Sequence, residues 1–178
     1  MIQIIVVNGF PESGKTTFEN YCLKKLAPYG TMCSTVDFVK EVAEKCGWDG
    51  TKTPENRKFL SDLKDLLTRW NDVPFHKIED HTRKFYNELA VFGLDDKPIY
   101  VFVDCREPAE IQRFVDEMGA ITVLVRRPEN EHDAQSNHAD KNVLDFRYDF
   151  TIMNDSTINE LYGRADDFLR ILNEETSM

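Results

Sequence analysis

The segment Gly9-Phe10-Pro11-Glu12-Ser13-Gly14-Lys15-Thr16 lies where one hydrophobic periodicity gives way to another, and that position restricts the folds open to the chain. Before it runs Ile2-Gln3-Ile4-Ile5-Val6-Val7, a β-branched apolar run that predicts a buried parallel strand. After it Phe18, Tyr21, Cys22 and Leu26 recur at helical spacing. Strand, glycine loop and helix in that order satisfy the pattern G-x-x-x-x-G-K-[S/T], the phosphate loop. The glycines let the backbone wrap an anion with its N–H groups directed inward, and the following helix adds a favourable dipole. Lys15 is placed to reach β- and γ-phosphates, and the Thr16 hydroxyl to ligate Mg²⁺.

A chain of 178 residues predicts one domain with a sizeable core. The 22 basic and 32 acidic residues give a formal charge of −10, which argues against nucleic-acid and membrane-surface partners. A nucleotide is still compatible, because a local site can be positive on an acidic protein. Cys22, Cys33, Cys46 and Cys105 show no C-x-x-C spacing, so zinc and thioredoxin-like readings fail. They predict reduced thiols in a cytoplasmic protein. No signal peptide is expected, since the first apolar run is short, lacks a basic leader and ends in the loop. No apolar stretch approaches membrane-spanning length.

Further along, strand and helix patterns alternate. Strands are predicted at about residues 31–36, 99–103, 120–125 and 150–153. Helices are predicted from Asp37, from Thr53-Pro54 (threonine as cap, proline at the first position), from Phe75 to Gly93, around Ile111 to Met118, and from Ile158 to Leu172. Asn71 to Pro74 breaks the middle helices. Their Phe59, Leu63, Leu66 and Trp70 stripe is expected to pack into the core, and His76 and His81 to lie on a helix surface. The alternation predicts an α/β three-layer sandwich with a parallel sheet. Ligands then sit outside the carboxyl ends of the strands.

Those strand ends carry charge. Asp37 and Lys40 follow the second strand, Asp104 and Arg106 the third, and Arg126 and Arg127 the fourth. Asp104 ends a Tyr100-Val101-Phe102-Val103 run, where an aspartate stands beside Mg²⁺ or caps the next helix; both readings stay open. Asp37 likewise either orients an acceptor or caps a helix. Arg106 suits bidentate contact with an acceptor phosphate. Its alternative is the first turn of a helix, where the dipole disfavours a cation. Arg126 and Arg127 are neighbours on a strand end, so they point opposite ways and one at most faces the site. From Pro128 to Asn142 the chain is polar and without periodicity; a lid over about 127–142 is expected, carrying His132, His138 and Asp140. Asp116 to Gly119 matches D-x-x-G formally, but no N-K-x-D guanine motif accompanies it.

Taken together, the chain resembles the nucleoside-monophosphate-kinase branch of phosphate-loop kinases. More narrowly, it is similar to the phage-type deoxynucleoside monophosphate kinases and the animal-type phosphomevalonate kinases. The likeness is carried by GFPESGKT, by Val103 to Pro128 with its D-x-R, G-A and R-P elements, and by Phe150 to Tyr162. It implies a five-stranded parallel sheet, the fold of the P-loop-containing nucleoside triphosphate hydrolases. One domain is implied over 1–178, with a helical acceptor region at about 40–95. The implied cofactors are ATP and Mg²⁺. The implied nucleotide contacts are Gly9, Glu12, Ser13, Gly14, Lys15, Thr16, Thr17 and Asn154. Lys15, Arg127 and Asp37 would be catalytic, Lys40 and Arg106 would hold the acceptor, and Thr16 and Asp104 the metal. The expected activity is phosphoryl transfer from ATP to a small phosphorylated acceptor, foremost a nucleoside or deoxynucleoside monophosphate. Three departures from the family pattern favour the alternatives, a nucleotide-binding module without catalysis or a kinase of a non-nucleotide phosphate. Glu12 occupies the loop, no arginine lies between Pro128 and Lys141, and the middle helices carry no acceptor motif.

Overall fold

The structure is a computed structural model that describes residues 1–130 and 142–175. In chain order the elements are β1 (Ile2–Asn8), α1 (Lys15–Leu26), β2 (Gly30–Ser34), α2 (Asp37–Lys45), α3 (Pro54–Asn71), α4 (Val73–Val91), β3 (Ile99–Asp104), α5 (Pro108–Met118), β4 (Ile121–Arg126), β5 (Phe150–Met153) and α6 (Ile158–Glu175). A short 3₁₀ turn, Pro128–Asn130, follows β4. Five strands pair in the order β2-β3-β1-β4-β5, all parallel, as the alternation of the sequence predicts.

The alternation of side chains along β1 divides the core. Ile5 and Val7 face one layer with Phe18 and Cys22 of α1 and Leu161, Ala165, Phe168 and Leu172 of α6. Ile4 and Val6 face the other with Phe75 and Ile78 of α4 and Ile111 and Phe114 of α5. Both faces of the sheet are therefore covered, which is why Ile4 to Val7 of β1, Ile99 to Val103 of β3 and Val123 to Val125 of β4 are continuously apolar and buried rather than alternating. No helix among the described residues is long and apolar enough to cross a membrane.

The expectation that the middle-helix stripe is core holds for Phe75, Ile78 and Leu89 of α4, which are buried, and is corrected for α3. No side chain of α3 is buried, and Leu66 and Trp70 are 55% and 82% exposed. The physical reason is that α4 and α5 already cover that face of the sheet, so α3 packs mainly on α2 and α4. Amphipathic spacing reports a helix, not how deep it lies. Phe92, just after α4, is also exposed. His81 departs from its expected surface position too: it is half-buried, and its Nε2 shares a hydrogen bond with Thr31 Oγ1 of β2 at 3.1 Å. His76 remains on the surface beside Glu79.

Capping follows the sequence at α3. Thr53 Oγ1 accepts from Asn56 N at 3.2 Å, with Pro54 at the first position. Replacing Thr53 by Ala is expected to lower local stability by about 1 kcal/mol. Because α3 buries no side chain, hydrogen exchange should show the loss in its first turns, with the global unfolding midpoint little changed. Asp72, at φ +50°, turns α3 into α4. Arg113 of α5 then holds that corner by an ion pair with Asp72 and by lying over the Phe75 ring. Lys64 of α3 reaches Glu110 of α5 at 2.7 Å. These contacts fix the helical region over the β3 side of the sheet edge.

Candidate functional site

The parallel sheet brings every strand's carboxyl end to one edge. Val7 and Ser34 both pair with Asp104, Asn8 with Leu124, and Arg126 with Met153. The glycine loop leaves the centre of this edge, from β1. Its path depends on backbone that side chains would obstruct. Gly9 has φ +151°, and a Cβ there would stand 2.3 Å from Val125 O. Gly14 has φ +96°, and a Cβ there would stand 2.5 Å from Asn154 Nδ2. Glu12, at φ +60°, also takes the left-handed region, which shows how tightly the loop turns.

Lys15 begins α1 and is 8% exposed. Its Nζ donates to Gly9 O at 2.6 Å and to Phe10 O at 3.1 Å. Asn154, just beyond β5, donates from Nδ2 to Ser13 O at 2.9 Å and from its backbone N to Arg126 O at 2.7 Å. It therefore joins the loop, β4 and β5. Asn8 is fully buried at the loop's root. Its Oδ1 accepts from Gly9 N at 2.7 Å, while its Nδ2 donates to Arg106 O at 3.2 Å and Tyr148 Oη at 2.7 Å. Tyr148 Oη in turn donates to Val143 O at 2.8 Å.

A cavity of about 430 Å³ opens over the loop. Glu12, Ser13, Gly14, Lys15, Thr16 and Thr17 line one side. Arg127, Asn154, Ser156, Ile158 and Leu161 complete it. Residues that the sequence predicts for the nucleotide are thus gathered around one space, together with Arg127. Gly9 shapes the loop without lining the cavity. Arg127, rather than Arg126, lines it, and lies 3.5 Å from Glu129.

Asp37, Lys40, Arg106 and Asp104 stand at the same edge, on the β2 and β3 side, and do not line this cavity. The capping alternatives open to two of them are resolved. The α5 cap position is Glu107, so Asp104 does not cap that helix and Arg106 lies before it. Asp37 is the first residue of α2, not its cap; it accepts from Ser34 N at 2.7 Å and pairs with Lys40 at 3.6 Å. The D-x-x-G match is the end of α5, with Gly119 in the left-handed region closing the helix. His132, His138 and Asp140 lie outside the described residues.

Three oxygens at the site are buried without a hydrogen-bond partner: Ser13 Oγ, Glu19 Oε1 and Asp104 Oδ1. Glu19 is 1% exposed, on the inner face of α1 with Phe18 and Cys22. Burial, then the Asp104 charge, push its carboxyl up to about 7, against a smaller pull from Lys15. Sequence reasoning missed Glu19, although an acid at a core-facing helical position was the available signal. It also missed Ser156, Ile158 and Leu161, which follow Asn154 in the last quoted segment.

The Glu19 shift sets a sign for stability. A carboxyl raised in the folded state costs nothing at low pH, where both states are protonated. The cost grows as pH rises from about 4.5 to about 7 and is complete above that. Replacing Glu19 by Gln removes it. In denaturant titrations without magnesium, the variant's advantage over the parent should be greater at about pH 8 than at about pH 5, by about 2–3 kcal/mol.

The donor set fits nucleotide phosphates and magnesium. The loop offers a backbone cradle whose two ends exclude a Cβ, and the unpartnered oxygens are the hard ligands that magnesium prefers. Among the described residues there is no group of three or more His, Cys, Asp or Glu that would cage a metal. Magnesium commonly keeps several waters and binds through one or two carboxylates plus phosphate oxygens.

No family model matches the chain, and no curated protein matches it. Among solved structures it is similar to TT1252 from Thermus thermophilus, at 19% identity and a TM-score of 0.43, over 97% of each chain. It is also similar to dephospho-CoA kinase from Campylobacter jejuni, at 14% identity and a TM-score of 0.39, over 95% of this chain and 96% of that one.

Proposed function

We propose that the chain is an ATP-dependent phosphotransferase whose acceptor is a small phosphorylated molecule, foremost a nucleoside or deoxynucleoside monophosphate. The observation that carries this reading is the arrangement of the sheet edge. A phosphate-loop cavity with Arg127 on its far side stands next to a second set of charges, Asp37, Lys40 and Arg106, outside that cavity. One set suits a donor and the other an acceptor. A switch or a simple hydrolase needs only the first.

In this reading the loop's N–H groups and Lys15 hold the donor phosphates, with Lys15 exchanging its bonds to Gly9 O and Phe10 O for phosphate oxygens. Ser156, Ile158 and Leu161 offer a mixed polar and apolar wall for the rest of the nucleotide. Thr16 and Asp104 would hold Mg²⁺, whose charge, when bound, offsets that of the phosphates. Arg106 and Lys40 take the acceptor phosphate, and Asp37 orients the acceptor. Arg127 neutralises charge on the transferring group. No covalent intermediate with the protein is required, since positioning and charge neutralisation carry this chemistry.

The test is a coupled ADP-release assay with ATP–Mg²⁺ against ribo- and deoxynucleoside monophosphates and phosphomevalonate. One nucleoside monophosphate should raise ADP release far above the acceptor-free rate. Stimulation by phosphomevalonate alone would keep the kinase and change its substrate. ATP binding with no stimulation by any acceptor would favour a nucleotide-binding module. Glu12, an acid lining the cavity, is the observation on that side.

A further inference from the structure

We propose that the outer face of α3 is a dimerisation surface, on which a second copy of this chain lays its own α3 antiparallel to the first. The inference goes beyond the kinase reading and does not depend on it. Phe59, Leu63, Leu66 and Trp70 follow one another at spacings of four, three and four residues, the d-a-d-a seam of a heptad. Phe59, Leu66 and Trp70 are exposed, and Leu63 is half-buried. The inward side of the helix is fixed independently: Lys64 reaches Glu110 of α5, and α3 packs on α2 and α4. The seam lies on the far side of α3 from Lys64 and runs for about 16 Å along it. Large apolar side chains lined up on an open helix face mark a surface that another helix covers.

The order of residues along the seam selects the occupant. Read from either end it runs aromatic, leucine, leucine, aromatic. Antiparallel pairing about a two-fold axis sets Phe59 against the partner's Trp70 and Leu63 against the partner's Leu66, and symmetry repeats both contacts. Charge obeys the same symmetry. Asp62 and Arg69 both stand on the g flank of the seam. In an antiparallel pair the two g flanks face each other, so Asp62 meets the partner's Arg69, and Arg69 the partner's Asp62. Both charges are available for this. The pair of Asp62 with Lys58 is exposed on both sides and holds it weakly, and Arg69 has no ion-pair partner among the described residues. A parallel pair would set Asp62 against the partner's Leu67 and lose both ion pairs. An unrelated partner requires neither the palindrome nor the paired charges.

Sedimentation equilibrium of the full chain, from micromolar to millimolar protein, is the test. The parent should pass from monomer to dimer over that range, since a single helix pair is a small interface. Leu66→Lys, which puts a charge in the middle of the seam, should be monomeric throughout. Asp62→Arg and Arg69→Asp each turn two attractive pairs into two repulsive ones, and each should weaken the dimer by about tenfold. The two substitutions combined exchange the charges and should restore parental association. Because α3 buries no side chain, the variants should keep the parent's circular dichroism, which checks that each is folded. A parent that stays monomeric at every concentration overturns the proposal and leaves the face to a partner of different sequence. A dimer that persists in Leu66→Lys places the interface elsewhere on the molecule. Failure of the charge exchange to restore association, in folded protein, rules out the antiparallel pairing.

Discussion

Lys15→Ala should lower turnover with the best acceptor by about 10³-fold, roughly 4 kcal/mol of transition-state stabilisation, while the far-ultraviolet circular dichroism stays that of the parent. The size follows from burial. A lysine 8% exposed acts on phosphate charge where water screens it little. The fold survives because the side chain's hydrogen bonds to Gly9 O and Phe10 O stay within the loop, beside a cavity where water can replace it. A modest fall in melting temperature is expected from those two lost bonds. Turnover retained in the variant would refute the mechanism. Loss of ATP binding together with loss of turnover would place the lysine's role in both ground and transition states.

Gly9→Ala should be more damaging to the protein itself. The new Cβ would meet Val125 O at 2.3 Å and Ser13 Oγ at 2.8 Å, on backbone at φ +151°. The nearer atom is main chain of β4, held between β1 and β5 in the sheet, so neither side can yield cheaply. Steric strain and overpacking together are expected to cost about 3 kcal/mol. Urea unfolding measures it, and ADP affinity should fall with it as the loop moves off its path. Gly47→Ala is the control. Its φ is +97°, but nothing lies within 4 Å of the added Cβ, so only the backbone cost of about 1 kcal/mol applies. Equal losses in the two variants would show that the close approach to β4 contributes nothing.

Much of the fold is legible in the sequence because parallel strands covered on both faces must be continuously apolar. Ile4 to Val7, Tyr100 to Val103 and Val123 to Val125 are such runs. The phosphate loop is legible for the same local reason: its glycines answer to backbone geometry within a few residues. Layering is not local. Leu66 and Trp70 have the spacing of a core helix, yet they are largely exposed because α4 and α5 reached the sheet instead. Glu19 shows a related limit. Its carboxyl is raised by burial and then by the charge of Asp104, far away in sequence, and a single acid in a helix gives no sign of either. Asp37 and Asp104 also fit helix caps by spacing, and only the positions of the helix starts set that reading aside.

Asn8 has a consequence for how the edge can move. One carboxamide bonds the first N–H of the phosphate loop, the carbonyl of Arg106 in the loop after β3, and the Tyr148 hydroxyl that holds Val143. Shifting any one of these segments strains or breaks a bond shared with the others. The phosphate loop, the loop after β3 and the return of the chain into β5 therefore have a common fulcrum. A ligand that shifts one of them changes the free energy of the other two, and by linkage the influence runs equally in reverse.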